Sequence, residues 1–178
     1  MRKSIVSFVG VAAIVMLLAS CDQNVVAGRF SYSDPPGDQR AGTPFEVDIL
    51  RVVVKATTKA TITVEVEDSV PFEQWGTAID SISITLIDGE RTLDLFVDRN
   101  GAALYDGSPS ICSVTRSHNA ELDRYSFSFA RNCLERNTHL SVNNVRTFHI
   151  PGDRADRAGN SNSLQIPAVC FPNVPCPF

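Results

Sequence analysis

Asp34 and Asp38 flank the turn Pro35-Pro36-Gly37, and the loop PGDRADRAGN at residues 151–160 supplies Asp153, Asp156 and Asn160. Calcium takes six to eight oxygen ligands, commonly loop carboxylates and carbonyls, so these five side chains are the candidate metal set. The rival reading is turn chemistry. Asp and Asn bond their own backbone in turns, and Arg154 and Arg157 stand close enough in sequence to pair with the aspartates. No cofactor is required; calcium is the candidate structural metal, and turn chemistry is the favoured reading of these residues.

Phe72 and Trp75 are the candidate ligand-binding pair, since two aromatics in one loop can stack on a sugar ring; the favoured reading is that they close an open end of the core. Catalysis finds less support. A nucleophile elbow needs G-x-S-x-G, and Asp106-Gly107-Ser108-Pro109-Ser110 lacks its second glycine. There is no H-E-x-x-H and no phosphate-binding glycine loop. His118, His139 and His149 are dispersed. The reading is a non-enzyme.

The elements that must position these residues are strands. Ile62, Val64 and Val66 alternate with polar residues, as do Ile82, Ile84 and Leu86, then Leu93, Leu95 and Val97, then Tyr125, Phe127 and Phe129. Period two with one apolar set predicts half-buried strands. Val47–Lys55 is more uniformly apolar and reads as a central strand, and Ile111–His118 is a weaker one. The alternation of His139–Ile150 slips at Asn143-Asn144, which predicts a bulge. Asp88-Gly89 and Asn100-Gly101 mark hairpins. Phe72–Ala78 reads as one helical turn. The fold class is all-β: an antiparallel β-sandwich of about seven to nine strands.

The chain begins differently. Arg2 and Lys3 precede the fourteen-residue apolar run Ile5–Leu18. That length suits a signal peptide and falls short of the roughly 20 residues of a spanning helix. Leu18-Ala19-Ser20-Cys21 resembles the lipobox of bacterial lipoproteins. The resemblance implies cleavage before Cys21, acylation of its thiol and new amino group, and a domain held on the extracytoplasmic side of a bacterial membrane. Asp22 resembles an inner-membrane retention signal. Each buried methylene adds about 0.8 kcal/mol, so two or three chains anchor a protein almost permanently. The predicted organisation is a signal peptide (1–20), a lipidated tether (21–29), a sandwich (30–167) and a C-terminal tail (168–178).

Setting Cys21 aside leaves four of the five cysteines, and export permits disulfides. Four cysteines allow three connectivities. The favoured pairs are Cys112–Cys133, bracketing a hairpin turned near 119–123, and Cys170–Cys176, around FPNVP. No cysteine has zinc-ligand spacing to a histidine.

Within the body, "SDPPGDQRAGTPFEVDILRVVV", "ATITVEVED" and "SFSFARNCL" resemble secreted β-sandwich domains of the DOMON and family-9 carbohydrate-binding type. The resemblance carries over Asp34, Gly37, Asp38 and Asp48 only, and implies a fold more than a function. Haem-binding DOMON domains use methionine and histidine ligands. Here Met1 and Met16 are the only methionines, and both fall in the signal segment.

Removing residues 1–20 takes away two basic residues and no acidic one, so the net charge moves from −4 to −6. An acidic balance argues against nucleic acid and anionic lipid as electrostatic partners. The expected function is a lipid-anchored binding module with a glycan or protein partner. The alternative is an accessory envelope protein that docks onto a complex.

Overall fold

The computed structural model describes residues 25–38, 41, 43–77, 79–89, 91–134, 139–149, 153–158 and 166–172. The expected signal segment, Cys21, Asn160 and Cys176 lie outside them.

Thirteen strands run through the described residues: β1 (Val25–Ala27), β2 (Arg29–Ser33), β3 (Ile49–Ala56), β4 (Lys59–Val66), β5 (Ser81–Asp88), β6 (Arg91–Asp98), β7 (Ala102–Tyr105), β8 (Ser110–Ser113), β9 (Thr115–Asn119), β10 (Arg124–Ala130), β11 (His139–His149), β12 (Asp153–Arg157) and β13 (Ile166–Cys170). They form two sheets. One has the order β1-β13-β11-β5-β6-β7-β8, with β12 also paired to β11; the other has the order β2-β3-β4-β10-β9. All pairings are antiparallel except β1 with β13. The all-β sandwich is as expected. The strand number exceeds seven to nine because the additional strands are short, and three to five residues carry too little alternation to read.

The period-two sets face each other across the core. Val52, Val54, Ile62, Val64, Tyr125, Phe127 and Phe129 come from one sheet, and Ile82, Ile84, Leu86, Leu93, Leu95, Val97 and Val142 from the other. Burying each large apolar side chain contributes about 1.5–3 kcal/mol. The opposite set does separate work. On the outer face of the smaller sheet, Thr61 meets Ser128 and Thr63 meets Ser126, each at 2.9 Å. Such hydroxyl pairs add to the strand pairing.

The register of β11 against β5 shifts between Val142 and Asn144, where the sequence predicts a bulge. The extra residue returns Val145 to the core and leaves Asn144 buried, where its Oδ1 accepts from Arg157 Nε at 2.9 Å. The weak run Ile111–His118 is two strands in different sheets, β8 and β9, with Val114 at the crossing.

That crossing changes the meaning of the first disulfide. Cys112 and Cys133 are bonded, with Cα atoms 5.9 Å apart. Cys112 sits on β8 of the larger sheet, while Cys133 ends the short turn after β10 of the smaller one. The bridge therefore ties sheet to sheet instead of spanning a hairpin. Cys170 is disulfide-bonded as well; the expected partner, Cys176, lies outside the described residues. Strand pairing also reaches into segments expected to be tether and tail. Val25–Ala27 pairs with Ala168–Cys170, and the Gly28 amide donates to the Cys170 carbonyl at 3.1 Å.

Cys112 and Cys133 are 21 residues apart, and closing a loop of that size stabilises a fold by about 3 kcal/mol in the chain-entropy model. Replacing both with serine is expected to lower the unfolding free energy by that amount, read as a shift of the denaturant midpoint under non-reducing conditions.

Candidate functional site

The acidic site is built from three separate parts of the chain. Asp34 follows β2 directly, and its amide continues the ladder by donating to the Leu50 carbonyl at 2.9 Å. The chain then turns through Pro35-Pro36-Gly37. Gly37 has φ of +77°, a conformation that strains any residue with a Cβ, and this turn brings Asp38 back toward Asp34. Asp156 arrives from β12. One carboxylate oxygen from each of Asp34, Asp38 and Asp156 lies within 4.8 Å of the other two.

Asp156 is fixed by its strand partner and by the opposite sheet. It pairs with Thr147 of β11. Thr147 Oγ1 donates to the Val47 carbonyl at 2.7 Å, and the Ile49 amide donates to Asp156 Oδ2 at 2.8 Å. The two side chains together grip the segment 47–49 at the start of β3. Asp48 lies between those gripped positions. It is fully buried, and its Oδ2 accepts from the Gly37 amide at 2.6 Å.

Crowded carboxylates in a dry site resist ionisation. Burial pushes the Asp156 carboxyl up to about 6, with the charges of Asp38 and Asp34 adding to the rise while the Ile49 and Arg157 amides oppose it. Asp48 is also raised, first by burial and then by the charge of Asp38. The Tyr32 hydroxyl, bonded to Asp34, is raised by burial and by the same two carboxylates. Arg157, one of the two arginines expected to compete for the aspartates, donates to Asn144 instead.

Of the five predicted ligands, the structure gathers Asp34, Asp38 and Asp156. Asp153 is the first residue of β12 and pairs with His149; its side chain, like all of Asn160, lies outside the described residues. Asp48, carried over with Asp34 and Asp38 by the resemblance but not among the predicted ligands, lies near Asp38 beside this cluster. Its signal was a lone carboxylate between Val47 and Ile49, both of which are fully buried.

Phe72 and Trp75 do not form a stacking platform. They are 8% and 1% exposed, and stacking needs an open ring face. Phe72 lies 5.0 Å from Trp75 and 5.5 Å from Tyr125, centroid to centroid. Phe72–Gln74 is the expected helical turn, and it lowers both rings onto the end of the core. Tyr125 holds that end by donating to the Val70 carbonyl at 2.8 Å and accepting from the Val70 amide at 2.9 Å.

Two other groups of residues bear on function. Ser69 Oγ lies 2.8 Å from His118 Nε2 and donates to Asp123 Oδ1 at 3.0 Å. In a nucleophilic triad the hydroxyl proton goes to the imidazole. Here the hydroxyl donates to the Asp123 carboxylate, which differs from the triad arrangement. His139 and His149 stand at opposite ends of β11. On the outer face of the larger sheet, Phe96, Asn100, Ala103 and Tyr105 line an open hollow of about 330 Å³.

Neither a family model, nor a curated protein, nor a solved structure matches the chain.

In the presence of a chelator, stability is expected to fall as pH rises from about 4 to about 6. Folded Asp156 keeps its proton up to about pH 6 while the unfolded residue loses it near 3.8, so the folded state binds more protons in that window. Asp156→Asn is expected to flatten the fall, measured by denaturant melts at each pH.

Proposed function

We propose that this chain is an exported, lipid-anchored, non-catalytic binding module that presents its Phe96–Tyr105 face to a glycan. The observation that carries the ligand is the hollow. Phe96 is 41% exposed on a strand whose other outward residues are polar. Ala103 lies directly across from it and Tyr105 is the partner of Asp94. A small residue beside an exposed ring leaves room for a flat ligand, while Asp98, Asn100 and Tyr105 bring polar groups to the lining. An aromatic face with a polar border suits the apolar face and hydroxyl edge of a sugar ring. The hollow is within the size range of small-ligand sites, about 300–1,000 Å³.

Compartment rests on the cysteines. Structural disulfides persist in oxidising compartments, and both Cys112–Cys133 and the engaged Cys170 support export. The Leu18-Ala19-Ser20-Cys21 motif supports the anchor. A second reading, docking onto a protein complex, is favoured by β8, an edge of its sheet with Ile111 39% exposed.

Cys21→Ala is expected to move the protein from the membrane fraction to the soluble one; retention in membranes would count against the anchor. On a glycan array, Phe96→Ala is expected to lose at least about tenfold in affinity, as when one stacking contact of ~1.4 kcal/mol is removed. Absence of binding by the wild-type protein would remove the glycan and leave the docking reading.

A further inference from the structure

We propose that Asp34, Asp38 and Asp156 form a calcium site that bolts the turn after β2 to β12, across the two sheets. The proposal is independent of the glycan reading.

Convergence of three carboxylates is the first observation, with Asp34 and Asp156 only 6% and 5% exposed. The second is unmet bonding at the same place. Both carboxylate oxygens of Asp38 are shielded from water and accept no hydrogen bond among the described residues. Oδ1 of Asp48, a residue with no exposed surface at all, has no donor at hydrogen-bonding distance among the described residues, and its side-chain neighbour is a further carboxyl, Glu67. Asp48 bonds the amide next to Asp38, so its carboxylate stands against the cluster. Desolvated acceptors without donors are expensive, and like charges a few ångströms apart raise that cost further. A cation among them satisfies both deficits.

The ligand set selects the ion. All donors are carboxylate oxygens, which favour a hard cation over zinc or copper. They come from a tight turn and a strand, an irregular arrangement. Calcium accepts irregular geometry and high coordination number, while magnesium demands a near-ideal octahedron and keeps its waters. Among the described residues, the amides that brace the site, Gly37 on Asp48 and Ile49 on Asp156, engage Oδ2 in each case.

The test uses the full chain in detergent, stripped with EGTA and then supplied with calcium or magnesium chloride. With calcium at about a hundredfold over its Kd, the melting temperature is expected to rise by at least about 5 °C, and magnesium is expected to do less. Asp38→Asn is the informative variant, because its side chain accepts no hydrogen bond among the described residues and its loss leaves their backbone bonds intact. It is expected to weaken calcium binding by about tenfold or more and, in EGTA, to melt above the wild type, because it relieves repulsion. A residue with a merely structural role would not give that reversal. An unchanged wild-type melt on adding calcium, or an Asp38→Asn protein with the full calcium shift, would overturn the site.

Discussion

One cross-sheet contact organises this molecule. Thr147 and Asp156, neighbours on β11 and β12, both reach over to the backbone at Val47 and Ile49. Face-to-face sheets are otherwise held by apolar contact, which is strong but indifferent to small slides. Two hydrogen bonds spanning 100 and 107 residues remove that indifference. They fix where β3 begins, hence which way Asp48 points and where the turn at Gly37 must close. At the other edge of the larger sheet, Cys112–Cys133 gives a covalent version of the same constraint. The sandwich is pinned near two edges and packed between them.

The pin has an electrostatic consequence. A neutral acceptor would serve the Ile49 amide as well as a carboxylate does. Placing Asp156 there, with Asp34 and Asp38 alongside, concentrates charge where water is scarce. The fold thus holds a local repulsion that its apolar core must outweigh, unless a cation or protons relieve it. The raised carboxyl of Asp156 expresses burial first and that repulsion second.

Much of the fold was legible because alternation reports directly on which face a residue takes. The long strands β4, β5, β6 and β10 followed their period, and the slip at Asn143-Asn144 marked a true register shift. The split of Ile111–His118 between sheets was not legible, because nothing in that run announces a change of partner. The site was half legible. Asp34 and Asp38 share one turn, but their meeting with Asp156 depends on tertiary packing. Trp75 read the same as lid or platform in the sequence, and the structure bears out the favoured lid. Phe96 was available to parity: it occupies the same outward set as Asp94 and Asp98, while Leu93, Leu95 and Val97 point inward.

The parallel pairing of β1 with β13 sets the molecule's stance. Val25 is four residues beyond Cys21, a reach of at most ~14 Å. A lipid on Cys21 would therefore hold one margin of the larger sheet close to the bilayer. From β1 the order runs through β13, β11 and β5 to β6 and β7. At about 4.8 Å per strand, that places the Phe96–Tyr105 hollow roughly 20–24 Å from the anchored margin. With such an anchor and the sheet standing away from the bilayer, sheet width would act as a spacer, lifting the hollow clear of the headgroups without a long linker.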